Sequence, residues 1–207
     1  MITRPVFRFL RDRQFRVRVT RFLLRKPTPL ESPDRTVLET VIFPYFQYLH
    51  EVHSVLFVGC DWYTRHYEST YFTGKDYWTI DPAPSARKFA GRQHLVAPLE
   101  ELGHHFPPER FDLIFCNGVF GYGLNGLAQC QQAFQQCHAQ LRHGGYLVVG
   151  WDDIPERTPV PMGAIRSLAR FERFEFPPLG GWRYTTNTGY RHTYDFYRRS
   201  AGSEAAE

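Results

Sequence analysis

The sequence predicts an α/β domain built on an open, mostly parallel sheet with helices on both faces. Three observations carry that expectation. Four short segments read as strands, SVLFVG at 54–59, YWTID at 77–81, FDLIFC at 111–116 and GYLVVG at 145–150, and three of them are apolar runs of the kind buried on both faces of a parallel sheet. Between the last two, residues 126–142 carry Leu127, Cys130, Phe134, Cys137 and Leu141 at helical spacing, and Gly144 ends the helix. Strand and helix alternate along the chain, the order that builds a parallel sheet by helical crossovers.

A chain of 207 residues has room for one such domain and not for a second. With 43% hydrophobic, 16% aromatic and 22% charged residues it is too apolar for disorder and too interrupted for a membrane span. Cys60, Cys116, Cys130 and Cys137 form no CxxC pair, and the N-terminus lacks a secretory apolar core, so reduced thiols and a cytoplasmic location are expected. The nine histidines, including adjacent His104 and His105, lack the paired spacings of a zinc site, and no metal is expected.

Charge is unevenly placed. Residues 1–26 hold nine basic side chains against Asp12 alone, a local charge of +8, so the rest of the chain carries −4 of the total of +4. The arm interleaves its arginines with Phe7, Leu10, Phe15, Val17, Val19, Phe22 and Leu23 in a helix-prone pattern without a clean period. A packing arm with a solvated basic face is the preferred reading. Contact with an anionic membrane surface, with nucleic acid or with an acidic substrate stands beside it, and an Arg-rich, acid-poor start is also similar to an organelle transit peptide, although serine is missing. The expected organisation is a basic arm and linker at 1–31, an α/β domain at 32–199 and a disordered tail at 200–207.

Taken in order, KPTPLESP reads as the linker. Ser32, Pro33 and Asp34 then supply a cap, a first-turn proline and a first-turn acid. The helix they start carries Leu38, Val41, Tyr45 and Leu49 on one face, with a kink expected at Pro44. Beyond Trp151 a proline-bearing loop leads to a short helix at 163–170 and to extended segments near 171–176 and 190–198, the last, GYRHTYDFYRR, reading as an edge strand.

Ligands of open α/β sheets sit at the carboxyl ends of the strands. Gly59, after the first strand, lets backbone approach where a Cβ would not fit. Asp81 ends the next strand 22 residues on, where an acid can grip a ribose diol. Asn117 and Gly118 follow FDLIFC. Singly each is an ordinary turn residue; their order and spacing point to a nucleotide-type ligand.

The succession VLFVGC, YWTIDP, FDLIFCNGVFGYGLN and LRHGGYLVVG resembles the core of the class I S-adenosylmethionine-dependent methyltransferases over residues 35–198, and TYDFYRR is similar to their last antiparallel strand. The resemblance implies a Rossmann-like three-layer sandwich on a mostly parallel seven-stranded sheet with an antiparallel edge strand, and S-adenosyl-L-methionine as cofactor. It assigns Gly59 and Cys60 to the cofactor turn, Asp81 to the ribose hydroxyls and Pro82 to the adenine border. Asn117, Gly118 and Val119 would lie beside the methionine and the transferred methyl.

Departures are as informative. Phe57 stands where the family usually has an acid, Ala97 where an acid often meets adenine, and Asp61 and Tyr63 replace two turn glycines. Asp61 tolerates a left-handed conformation and offers a carboxylate to the ammonium of the methionine. For Tyr63 two outcomes are open: Trp62 or Tyr63 packs beside the ligand, or the ring fills the pocket and the domain is an inactive scaffold. Weak catalytic candidates are Tyr122, as positioner of an acceptor hydroxyl or weak base, and His66, as base. His143 falls at the far end of the sheet. NGVF in place of the NPPY of nitrogen-directed DNA and protein enzymes leans toward oxygen on a small-molecule or glycan acceptor, and away from nucleic acid. A nucleotide-binding oxidoreductase is the remaining rival; it needs GxGxxG, and Asp61 would repel a pyrophosphate.

Overall fold

The computed structural model describes residues 32–201. The basic arm, the linker before Ser32 and the tail from 202 lie outside the described residues. Eight strands form one sheet: β1 (Ser54–Val58), β2 (Asp76–Ile80), β3 (Gln93–Leu95), β4 (Phe111–Asn117), β5 (Leu141–Asp152), β6 (Glu172–Arg173), β7 (Arg183–Thr185) and β8 (His192–Arg198). Their order is β3-β2-β1-β4-β5-β8-β6, with β7 also on β8. The first five are parallel, and β8 runs antiparallel between β5 and the two short strands. TYDFYRR therefore does not form the bare edge: β6 and β7, too short to signal themselves in sequence, cover its outer side.

Alternation in the strands divides the core into two layers. Leu56, Val58, Ile114, Cys116, Leu147 and Val149 face one side with Cys130, Phe134 and Cys137 of the helix Leu127–Gln140. Val55, Phe57, Leu113, Phe115, Tyr146 and Val148 face the other with Leu38, Ile42, Phe43 and Phe46. Phe57, standing where an acid was expected, is buried among the rings of Phe43, Tyr67 and Phe115. Leu127, read as part of this helix's apolar stripe, is its first residue and is 45% exposed.

The leading helix departs from the expected face. It is α1 (Pro33–Val37), a π-helical turn at Leu38–Ile42 and α2 (Phe43–Tyr48). Pro44 has no N–H to continue the α ladder, and the chain widens one turn ahead of it so that Phe43 N–H reaches the Leu38 carbonyl. That turn rotates Ile42, Phe43 and Phe46 into the core and leaves Val41, Tyr45 and Leu49 half-buried. Ser32 caps through its backbone carbonyl, which accepts Thr36 N–H at 2.9 Å, and not through its hydroxyl.

Strand order reverses between β1 and β4, with β2 and β3 on one side and β5 and β8 on the other. The crevice opened at such a reversal lies beyond the carboxyl ends of β1 and β4, next to Gly59 and Asn117. The antiparallel β8 starts there too, since His192 is in register with Asp152 at the end of β5.

Candidate active site

A cavity of about 290 Å³ occupies this crevice. Gly59, Cys60, Asp61, Tyr63, Asp81, Pro82, Asn117, Gly118 and Val119 all line it, as does Tyr122. Sequence spacing thus brought the turn, the acid and the β4 end to one place. His66 is not among the lining residues; its ring packs at 5.0 Å from Tyr67 and 6.1 Å from Tyr71. His143 lies in the first half of β5, paired with Glu109 away from the cavity.

The turn after β1 is held by hydrogen bonds that its residue types dictate. Gly59 has φ +85°, and a Cβ there would meet Val119 Cγ1 at 2.8 Å, so glycine is required both by conformation and by space. Asp81 Oδ2 accepts Cys60 N–H at 2.9 Å and Oδ1 accepts Ala83 N–H at 2.8 Å. Both oxygens are pinned, yet each keeps a lone pair for a hydroxyl donor. Asp61 does not take the left-handed conformation expected for it: among the described residues only Glu109 and Arg191 do so without being glycine. Instead Asp61 closes a turn with Thr64, whose Oγ1 accepts Asp61 N–H at 3.0 Å and donates to its carbonyl at 2.9 Å. The left-handed conformation is left to Gly59, and Asp61 and Thr64 close the turn that follows it.

Tyr63 forms a wall of the cavity and does not fill it. Its ring lies under the Arg35 guanidinium at 4.3 Å and edge-on to Trp62 at 5.4 Å. Arg35, from α1, is 6% exposed and also lines the cavity. It donates from Nη1 to Tyr67 Oη at 2.8 Å, and Tyr67 donates on to Glu39 at 2.9 Å. Burial opposes its charge, but the phenols of Tyr67, Tyr63 and Tyr194 outweigh it and keep its pKa above the ordinary value. Among the described residues its Nε has no hydrogen-bond partner. A buried guanidinium with a spare donor at a cavity wall suits an anionic group.

Ala97, Pro98, Leu99 and Glu100 also line the cavity, with Val58, Ile80 and Leu124, and all of these but Glu100 have apolar side chains. Ala97 leaves no acid at the position expected from the resemblance, but Glu100 lines the cavity three residues later.

Beyond Asn117 lies a cluster that sequence reasoning missed. His192 Nδ1 is 2.6 Å from Asp152 Oδ1, and Nε2 is 3.1 Å from the Asn117 amide. Tyr122 Oη and Arg157 Nη1 both donate to Asp152 Oδ2 at 2.8 Å. Burial alone would raise the Asp152 carboxyl, and the bonds from His192, Arg157 and Tyr122 overcome it and hold it below its usual value. Tyr122 is pushed up to about 12 by burial and by its bond to Asp152, which fits it to donate and position and not to serve as a base. Asp152 could have been found by asking which acid ends the fifth strand, and His192 by noting that an antiparallel strand starts where its parallel neighbour ends.

A sequence model for a family described as "Methyltransferase domain" matches residues 56–149, from β1 through β5, the segment that supplies the glycine turn, Asp81 and Asn117. Over residues 56–149 the chain is similar to a methyltransferase domain. Among solved structures, the methyltransferase fold recurs in the N-methyltransferase NodS from Bradyrhizobium japonicum WM9, solved in complex with S-adenosyl-L-homocysteine, at 19% identity and TM-score 0.56 over 93% of this chain and 91% of that one. A TehB-like SAM-dependent methyltransferase from Corynebacterium glutamicum is similar at 17% identity and TM-score 0.56, over 88% of this chain and 98% of its own. A SAM-dependent methyltransferase from Archaeoglobus fulgidus matches at 14% identity and TM-score 0.54, over 87% and 98%. At these identities the likeness concerns the fold. No curated protein shows significant similarity to the chain. Among the described residues no helix is long and apolar enough to cross a membrane.

Proposed function

We propose that this methyltransferase binds S-adenosylmethionine in the β1/β4 cavity and transfers its methyl to a small-molecule or glycan acceptor. The observation that carries the binding mode is the pinned pair of Gly59 and Asp81: a turn whose backbone nothing larger than glycine allows, tied by Cys60 N–H to a carboxylate with lone pairs to spare. In this reading Asp81 takes the ribose hydroxyls and Pro82 borders the adenine. The segment from Ala97 to Glu100 encloses the ring, and Gly59, Cys60, Asp61 and Tyr63 follow the methionine. Arg35 faces its carboxylate. Asn117, Gly118 and Val119 lie beside the methyl.

The cofactor supplies an electrophilic methyl on a sulfonium, so the chain's residues act mainly by alignment and by exclusion of water. Tyr122 and Arg157, both tied to Asp152, stand at the acceptor side; Tyr122 is 58% exposed there and presents a phenol to what enters. The net negative charge of residues 27–207 gives phosphate backbones no attraction to the domain, which supports a small acceptor over nucleic acid. Asp61 on the lining supports a sulfonium cofactor over a dinucleotide, whose pyrophosphate it would repel. The setting we propose is the cytoplasm.

The test is transfer of tritiated methyl from the cofactor into fractionated cell extract. Label in the small-molecule or glycan fraction, lost with Asp81→Ala, is expected; label confined to protein or nucleic acid would overturn the acceptor class.

A further inference from the structure

Two loops meet at the acceptor side of the cavity, and they meet closely because one of them carries a glycine. Gly121 has φ +85°, and a Cβ there would run into the Arg157 carbonyl. The junction is tied at Asp152 Oδ2, which accepts from Tyr122 Oη and Arg157 Nη1 at 2.8 Å each. Asp152 is buried, and its Oδ1 faces His192 Nδ1 at 2.6 Å, so its charge is shared among three groups and shielded from solvent. Arg157 is the reverse: its side chain is 43% exposed, and the bond from Nη1 is the only hydrogen bond its guanidinium makes among the described residues. The edge formed by Nε and Nη2 is left free, and that edge carries two parallel N–H groups at the spacing of a carboxylate or phosphate. Aromatic rings hold the guanidinium in place, with Cζ 5.1 Å from the Tyr190 centroid and 6.0 Å from that of Tyr122. Tyr190 is fixed in turn, since its Oη donates to Asp34 Oδ1 at 2.7 Å. Arg191, just before β8, is already paired with Asp153 at 3.3 Å.

We propose that Arg157 is a specificity-determining residue that binds an oxyanion, a carboxylate or phosphate, on the methyl acceptor. Neutralising Asp152 uses one of its five N–H groups, and the free edge takes the acid of a molecule that enters past Tyr122, which lines the cavity. The acid is the handle and not the nucleophile, so the methylated product keeps its negative charge. The acceptor is then an acidic or phosphorylated small molecule or sugar. The inference rests on the transfer site proposed above.

Sorting the acceptors by charge before the reaction tests it. Small-molecule extract is passed over an anion exchanger at about pH 8, where carboxylates and phosphates are ionised. The retained and unretained pools are each offered to the full chain with tritiated S-adenosylmethionine. Label from the retained pool alone is expected. Arg157→Gln should raise the amount of that pool needed for half-maximal rate by about tenfold or more, the loss of one charge-assisted hydrogen bond. The loss should fall on half-saturation and not on the rate at saturation, and Arg157→Lys, which keeps the charge without the fork, should recover part of it. Label from the unretained pool, or a half-saturation that Arg157→Gln does not move, overturns the proposal. No label from either pool overturns the small-acceptor reading beneath it, a distinguishable failure. Should Arg157→Gln not fold, seen as lost binding of S-adenosylhomocysteine, the two pools offered to the parent chain still decide. Phosphatase treatment of the retained pool separates the two supporting cases: label lost identifies a phosphate, and label kept identifies a carboxylate.

Discussion

Replacing Gly59 by alanine tests whether the glycine turn is required by the backbone, by space or by both. At φ +85° an L side chain costs about 1–2 kcal/mol. The added methyl also meets Val119 Cγ1 at 2.8 Å. Valine is stiff at χ1, and overpacking of this kind costs about 1–3 kcal/mol. Together they come to about 2–5 kcal/mol, set against about 5–15 kcal/mol for a typical domain. Urea unfolding with an unchanged slope reads the loss directly. A second variant separates the parts: Gly59→Ala with Val119→Ala removes the collision and leaves the conformational cost, so the two substitutions should couple by about 1–2 kcal/mol. A single variant within about 0.5 kcal/mol of the parent would refute both causes. A double variant no better than the sum of the singles would refute the collision.

Three further outcomes are expected. Gly150→Ala, whose Cβ would lie 1.7 Å from the Asn117 amide, should destabilise the chain by about 1–3 kcal/mol, and adding Asn117→Ala should restore most of it in the same urea assay; no restoration places the strain elsewhere. Asp152 has its folded pKa held below the ordinary carboxylate value, so its stabilising contribution is complete above that value and disappears as pH falls through the lowered one; melting temperature against pH should be flatter below about pH 4 for Asp152→Asn, and parallel curves would contradict the linkage. Cys60 is the one cysteine of the four that is not fully buried, and burial, with the nearby Asp81 charge, pushes its thiol up to about 12; iodoacetamide should modify it slowly, with a rate still climbing about tenfold per pH unit above pH 9, and S-adenosylhomocysteine should protect it. A rate that levels off near pH 9 would contradict the burial.

The parts legible in sequence are those where one residue type has one physical reason to be there. Apolar runs bounded by turns gave β1, β4 and β5, and the strand-end rule placed Gly59, Asp81 and Asn117 at one cavity before any geometry was known. What sequence hid was pairing at long range. Arg35 reads as an ordinary first-turn basic residue of a helix, and only the packing of α1 against the turn brings it over Tyr63. His192 and Asp152 are 40 residues apart and meet because β8 runs antiparallel to β5. The face of the leading helix was misread because periodicity assumes a regular helix, and the π-helical turn before Pro44 shifts the buried set. Asp61 was expected to replace a glycine by conformation, whereas the chain instead shapes a new turn with Thr64.

Calorimetric titration of the full chain with S-adenosylhomocysteine bears most directly on the claim that this divergent turn holds the cofactor. Heat saturating at one ligand per chain is expected, and Asp81→Ala, which removes the carboxylate that holds Cys60 N–H and is proposed to take the ribose, should weaken binding by about tenfold to a hundredfold. No heat at about 1 mM ligand, or an affinity indifferent to Asp81, would contradict it.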